Sequence, residues 1–85
     1  MLVSLYSQLI YPDEARNANI EGDVHTQFTI GTDGIPYNHE AIKSIGYGCD
    51  EEAIRVLESF VFVPARNKYD DIITSRMIIV VKFRL

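Results

Sequence analysis

The sequence predicts an α+β domain in which two helices pack on one face of a three-stranded, mainly antiparallel sheet, in the chain order α-β-β-α-β. Two segments, residues 23–30 and 76–85, alternate apolar and polar residues as half-buried strands do. Between them lies a stretch with apolar residues at helical spacing. A chain of 85 residues has room for one layer of helix on one sheet, so a single domain over residues 1–85 is expected.

Composition excludes several classes of protein. The chain holds 8 Lys and Arg against 12 Asp and Glu, which gives a net charge of −4. Because nucleic-acid binding requires a clustered basic face, a nucleic-acid-binding protein is not expected. The longest apolar run, residues 77–81, is far shorter than the roughly 20 residues of a membrane span. Residues 1–11 lack the charged start and cleavage site of a signal peptide. The single cysteine, Cys49, excludes an internal disulfide.

The amino-terminal part predicts a lead-in followed by a short helix. Residues 2–10 mix apolar and polar side chains and are interpreted as a short strand or an extended lead-in. A helix is predicted to begin at Tyr11-Pro12. At the first helical position the N–H that proline lacks would have no partner within the helix, and two acidic residues follow at the positive end of the helix dipole. That helix is predicted to end near Asn19, before Gly22.

A hairpin is predicted next. Its first arm places four residues on one face: Val24, Thr26, Phe28 and Ile30. The turn cluster of residues 31–34 leads into a second arm over residues 35–42. Because Pro36 cannot donate to a ladder, the second arm is expected at the edge of the sheet.

The second helix is predicted to begin at Asp50, which can act as its N-cap, with two glutamates in the first turn. Its apolar stripe comprises Ala53, Ile54, Leu57 and Phe60. Pro64 is expected to close this region, and residues 67–71 are interpreted as a turn.

The last strand has one wholly apolar face, which is expected to pack on the helices: Met77, Ile79, Val81, Phe83 and Leu85. The other face carries three cations around two aliphatic residues: Arg76, Ile78, Val80, Lys82 and Arg84. The second arm, the long helix and this strand form a crossover, which is right-handed and parallel. If it passes over the first arm, that arm becomes central and the last strand keeps one unpaired edge.

Catalytic chemistry finds little support in the sequence. Cys49 precedes a helix without a nearby histidine, so it is interpreted as a small buried residue, with a reactive thiol as the alternative. His25 and His39, on opposite arms of the hairpin, could approach each other beside Glu40, but a structural zinc site needs four ligands. Gly46 and Gly48 lack the rest of a phosphate-binding loop. We therefore expect no enzyme, no metal site and no cofactor.

Several motifs, in their order and spacing, resemble the carboxy-terminal domain of TonB energy transducers. They cover residues 11–85 and comprise Tyr11-Pro12-x-x-Ala15, Ile20-Glu21-Gly22, Val24-x-x-x-Phe28-x-Ile30 with Asp33-Gly34, Ile45-Gly46-x-Gly48-Cys49-Asp50-Glu51-Glu52-Ala53-x-Arg55-Val56, Phe60-x-Phe62-x-Pro64-Ala65-Arg66 and the ending Val81-Lys82-Phe83-Arg84-Leu85. Phe60 stands where the family usually has tryptophan, which keeps an aromatic ring but loses an N–H donor. The residues that carry the structural signature are Tyr11, Pro12, Gly22, Phe28, Gly34, Gly46, Phe60, Phe62 and Pro64.

The resemblance implies a periplasmic interaction domain that binds the TonB box of an outer-membrane receptor by strand addition. It also implies inner-membrane motor partners, engaged through an amino-terminal anchor outside these residues, whose force opens the receptor for uptake. Carried over by position, the docking strand comprises Met77, Ile78, Ile79, Val80, Val81, Lys82, Phe83, Arg84 and Leu85.

Four alternatives stay open at this point. The first is a small hydrolase or metal-binding enzyme, which would lose activity on mutation of His25 or His39. A scaffold or sensory domain of the same fold would bind another partner without transmitting force. The cations of the last strand could serve only to guard an exposed edge against aggregation. The same edge could also pair with a second copy to form a strand-exchanged homodimer.

Overall fold

The computed structural model describes residues 7–85. The elements are α1 (Asp13–Asn17), β1 (Gly22–Ile30), β2 (Pro36–Lys43), α2 (Cys49–Glu58), β3 (Ala65–Arg66), β4 (Ile72–Ile73) and β5 (Ser75–Phe83). The three long strands form one sheet in the order β2-β1-β5, and both neighbours of β1 are antiparallel to it. The two shorter strands, β3 and β4, form a separate antiparallel ribbon. The α+β class, the strand order and the central position of the first hairpin arm are confirmed.

The core lies between one face of the sheet and the two helices. The predicted face of β1 is confirmed, because its four alternate residues are all buried. α1 contributes only Ala15 to the core, whereas α2 contributes Cys49, Ala53, Val56 and Leu57. The buried apolar residues are Ala15, Val24, Phe28, Ile30, Cys49, Ala53, Val56, Leu57, Val81 and Phe83.

Helix α2 differs from the prediction at both ends. Its N-cap is Gly48, in the left-handed region at φ 81°, so the prediction of Asp50 as the cap is wrong. Asp50 lies inside the first turn, and its Oδ1 accepts the backbone N–H of Ile45 at 3.2 Å. Phe60 lies beyond the helix, where its N–H still donates to Leu57 O at 3.2 Å. Val56 takes the buried position predicted for Ile54, which is only half-buried.

In the hairpin of β1 and β2, the irregularities all lie in β2. The register shifts twice, between His25 and Thr26 and between Gln27 and Thr29, and both times the extra residue belongs to β2. Pro36 lies opposite Ile30 on this outer strand, as predicted from its missing donor.

Gly34, in the hairpin turn, connects the turn to the segment after α2. Its carbonyl accepts the N–H of Phe62 at 2.8 Å, and its own φ is +83°. The ring of Phe62 lies 5.3 Å from that of Phe28 and 6.4 Å from that of Phe60. The aromatic residues after α2 therefore close one end of the core.

The ribbon of β3 and β4 was not predicted, although its turn was. Asn67 organises the turn, because its Oδ1 accepts the N–H groups of Tyr69 and Asp71 at 2.9 and 3.0 Å. Two-residue strands carry no periodicity that a sequence could reveal.

The lead-in is held on α2 by an ion pair. Most of its predicted extended stretch, residues 1–6 in particular, lies outside the described part, but Ser7 and Gln8 are helical, so the extended prediction is wrong for them. The Arg55 guanidinium donates hydrogen bonds to both carboxylate oxygens of Glu52, at 2.8 and 2.7 Å, and to Gln8 O at 3.1 Å. Glu52 also accepts the N–H of Ile10 at 2.6 Å. The hydrogen bond from Arg55, aided by that from Ile10, lowers the pKa of Glu52.

Gly34→Ala should destabilise the domain far more than Gly46→Ala does. A Cβ at Gly34 would lie 2.1 Å from the backbone oxygen of Phe62, whereas one at Gly46 meets nothing within 4 Å. Both glycines have positive φ, so Gly46→Ala should cost about 1–2 kcal/mol of backbone strain. Gly34→Ala should cost about 3 kcal/mol or more, since overpacking is added. Urea unfolding measures both, and equal losses would contradict the close approach.

Glu52→Gln should lower the free energy of unfolding by about 1 kcal/mol at pH 7. Because folding lowers the pKa of Glu52, its contribution is present above the unfolded pKa and is lost as the pH falls through the folded value. The difference between wild type and variant should therefore shrink below about pH 4.3. Glu51→Gln, at the exposed neighbouring position, is the matched control. A difference that stays constant down to pH 3 would contradict the ion-pair role.

Candidate functional site

Strand β5 is an edge strand. Among residues 7–85 it pairs with β1 alone, over nine consecutive residue pairs from Gly22–Phe83 to Ile30–Ser75 and without a register shift. The outer edge of such a strand presents a row of backbone donors and acceptors, which is a template for another strand.

Two hydrogen bonds show which backbone groups of β5 point outward. Gly31, directly after β1, donates its N–H to Ile35 O across the hairpin at 3.2 Å. The backbone N–H and C=O groups of odd-numbered residues of β1 therefore point toward β2, and those of even-numbered residues point toward β5. Correspondingly, the Oγ1 of Thr26 donates to Ile79 O at 2.9 Å, which places the backbone of Ile79 toward β1. Alternation along the regular ladder then turns the backbone groups of four residues away from β1, to the outer edge of the sheet: Arg76, Ile78, Val80 and Lys82. Of these four, Lys82 has a further interaction of its own.

The side chains of β5 follow the predicted alternation in the middle of the strand. Val81 and Phe83 are buried and Ile79 packs against the core. At the two ends the prediction is wrong: Met77 is 37% exposed, and Leu85 is 59% exposed because the strand ends at Phe83. Leu85 instead donates its N–H to Glu21 at 2.8 Å.

The open face of the strand combines apolar and cationic side chains. Ile78 is 56% exposed and Val80 36%. Every charged residue after Thr74 is a cation, whereas the rest of the chain has 5 basic and 12 acidic residues. One of these cations also fixes the strand end, because Arg84 bonds Asp23 Oδ1 at 2.9 Å and Gly22 O at 3.1 Å.

A groove of about 390 Å³ adjoins the carboxyl end of β5. The Tyr11 ring meets Phe83 edge-on at 5.6 Å, and its hydroxyl donates to Ile20 O. Burial raises the pKa of Tyr11. The groove is lined by Leu9, Tyr11, Lys82, Phe83 and Arg84. Sequence reasoning missed it, because no local pattern relates Leu9 to Lys82 and Phe83, which lie more than seventy residues away along the chain.

Three of the structural signature residues, Pro12, Gly22 and Pro64, lie at or just before the start of a helix or strand. Pro12 was predicted as the first helical residue, but it is the N-cap of α1, and its carbonyl accepts the N–H of Arg16 at 2.9 Å. Gly22 stands against the side chain of Ile45 at the start of β1. Pro64, half-buried, precedes β3. None of these three lines the free edge, whereas Tyr11 lies at the groove beside it.

The residues weighed for chemistry do not come together. Cys49 is buried, and burial, followed by Asp50 and Glu51, raises the pKa of its thiol. His25 lies opposite Lys43, whereas His39 stacks on Phe28 at 5.1 Å, so the suggested approach of the two histidines is wrong. Burial lowers the pKa of His39 despite an opposing effect of Glu58.

The described residues were also surveyed for metal-binding and membrane-spanning features. Within residues 7–85, no three His, Cys, Asp or Glu side chains are grouped so that they could hold a metal ion. No helix in that part of the chain has the length and hydropathy needed to span a membrane.

Comparisons with known proteins agree with this geometry. The chain is similar to the solution structure of the Helicobacter pylori TonB carboxy-terminal domain, with 25% identity, a TM-score of 0.72, and coverage of 99% of this chain and 76% of that one. No curated protein sequence gives a significant match. The family model of the Gram-negative bacterial TonB protein C-terminal domain matches residues 7–85. The chain therefore belongs to the family of Gram-negative bacterial TonB protein C-terminal domains.

Proposed function

We propose that this domain binds a short extended peptide, the TonB box of an outer-membrane receptor, by adding it to β5 as a fourth strand. In this proposal the domain works in the periplasm, catalyses no reaction and passes force from inner-membrane motor proteins, reached through an amino-terminal anchor, to the receptor. The single observation that carries the proposal is the regular outer edge of β5, along which Arg76, Ile78 and Val80 direct their backbone groups away from β1.

The energetics favour weak, reversible binding. A peptide of five or six residues would form about six hydrogen bonds, each worth roughly 0.5–1.5 kcal/mol net. Ordering the peptide costs a comparable free energy. Contacts with the exposed side chains of Ile78 and Val80 must therefore supply the surplus. We expect an affinity on the order of micromolar, which suits a transducer that has to release its receptor.

Val80→Pro should weaken binding of a TonB-box peptide by about 2- to 12-fold, because it removes one outward N–H from the ladder. The bonds to β1 should survive, since the backbone of Val80 points away from that strand. Calorimetric titration measures the affinity, and thermal unfolding checks that the domain remains folded.

The matched control is Val80→Thr, which keeps the N–H and the branched shape and should bind like the wild type. Ile79→Pro, which removes a donor directed at β1, should instead unfold the domain. Unchanged affinity of a folded Val80→Pro protein would overturn the assignment of β5 as the docking strand.

Binding of an acidic peptide should weaken several-fold between about 0.1 and 1 M NaCl. The strand is purely cationic on an otherwise acidic chain, and the screening length falls from about 10 to 3 Å over this range. A peptide with glutamine in place of its acidic residues serves as the control and should respond little. An equal response of both peptides would show that the cations do not contribute to recognition.

A further inference from the structure

We propose that the docking edge continues beyond β5 into β4, so that the added peptide pairs along residues 72–80 and sets apolar side chains against the two isoleucines of β4. This proposal rests on the proposed strand addition and deepens it, because it assigns the length of the peptide and the chemistry of its far part. β4 and β5 follow each other with only Thr74 between them, and the chain makes no turn or bend at that residue.

The ribbon of β3 and β4 leaves the backbone of Ile72 on its outer side. Asn67, directly after β3, donates its N–H to Asp71 O at 3.0 Å. Ile73 lies two positions after Asp71 in the same antiparallel register. Because backbone groups alternate in direction along a strand, those of Ile73 point toward β3 and those of Ile72 point away from it.

The outward groups of β4 and β5 lie on the same side of the chain. In β5, the backbone groups of Arg76, Ile78 and Val80 point away from β1. Ile72 precedes Arg76 by an even number of residues, and alternate residues of an extended chain direct their backbone groups to the same side. The outer edge therefore continues from Val80 back to Ile72.

The position of β3 supports this continuity. β1 ends at Ile30, opposite Ser75, and Gly34 lies in the turn that follows. The carbonyl of Gly34 accepts the N–H of Phe62 at 2.8 Å, three residues before β3 begins at Ala65. β3 thus takes the place of β1 beside the long strand, on the same side. Within residues 7–85, no strand pairs with the opposite side.

Exposed apolar side chains follow this edge. Ile72 is 44% exposed and Ile73 is 39% exposed, and both lie outside the core. Met77 and Ile78 continue the exposed apolar surface along β5, where Arg76 is the one charged residue before the edge reaches Val80. Grouped apolar side chains on a surface mark an interaction site. An extended peptide rich in β-branched residues would cover them through cross-strand pairs.

The ribbon itself has reason to accept a further strand. β3 and β4 pair over two residues each, and an isolated two-stranded ribbon is at best marginally stable in water. A peptide on the outer side of β4 makes the ribbon three-stranded and continuous with the pairing along β5. Binding should therefore order the ribbon as well as the peptide.

The test compares a capped six-residue peptide of alternating valine and threonine, with one aspartate, with a ten-residue peptide of the same pattern. Because Ile72 and Thr74 would add backbone hydrogen bonds, the longer peptide should bind about tenfold more tightly in calorimetric titration. The six-residue peptide extended by Gly-Pro-Gly-Pro, whose prolines lack a donor, is the control and should bind like the six-residue peptide.

Amide hydrogen exchange, followed by NMR, locates the added strand without any substitution. With the ten-residue peptide bound, the N–H groups of Ile72 and Thr74 should exchange at least about tenfold more slowly than in the free domain, because each would be bonded to the peptide. The N–H groups of Ile78 and Val80 should slow with them.

Ile72→Pro removes the outward N–H but no bond between β3 and β4. It should reduce the tenfold advantage of the longer peptide to about threefold or less, while the six-residue peptide binds as to the wild type. Ile72→Val keeps the donor and the branched side chain, so this matched control should keep the full advantage. Exchange of the Ile73 N–H checks that the ribbon of each variant is intact.

The outcomes separate the two proposals. If neither peptide binds the wild type, strand addition fails and the extension fails with it. Equal affinities, or a gain in affinity without slower exchange at Ile72 and Thr74, would leave strand addition standing and refute the extension alone. Slower exchange at these two residues on raising the protein concentration without peptide would also overturn the proposal, because the occupant would then be a second copy of the chain.

Discussion

The unbroken pairing of β1 with β5 is the constraint on which the rest of this structure depends. Nine consecutive pairs without a shift fix the face of every side chain and the direction of every backbone group along β5. A slip by one residue would turn Val81 and Phe83 to solvent and reverse the groups offered at the edge. Core packing and the proposed docking edge are therefore set by the same register.

The two edges of the sheet differ in a way that favours one of them for strand addition. The outer edge of β2 is interrupted by two bulges, by Pro36 and by a positive φ at Asn38. Such irregularities discourage pairing with a further strand. β5 has no such interruption and carries only its cations. Like charges opposed across two copies of β5 would disfavour self-pairing, while an acidic or neutral peptide would not meet that repulsion.

The sequence predicted the parts of this structure that follow from local periodicity and chain connectivity. The alternation predicted β1 and β5 as strands, but the central position of β1 was predicted only on the condition that the crossover passes over it, and the strand order meets that condition. Asp50 was assigned as the cap of α2 because it is a good capping residue, but Gly48 adopts a left-handed conformation that only contacts along the folded chain reveal. The groove escaped prediction for a related reason, since Leu9 reaches β5 only through the fold, held there by Glu52.

Selectivity at such an edge has to come from side chains, because a backbone ladder pairs with nearly any extended segment. Ile78 and Val80 on the open face form a shallow apolar surface that favours β-branched partners without defining one. The groove beside Phe83 differs, since it is concave and bounded by Leu9 and Tyr11. Affinity spread over many backbone hydrogen bonds, each of them weak, would let a peptide bind along the edge and still dissociate readily, as the proposed release of a receptor requires.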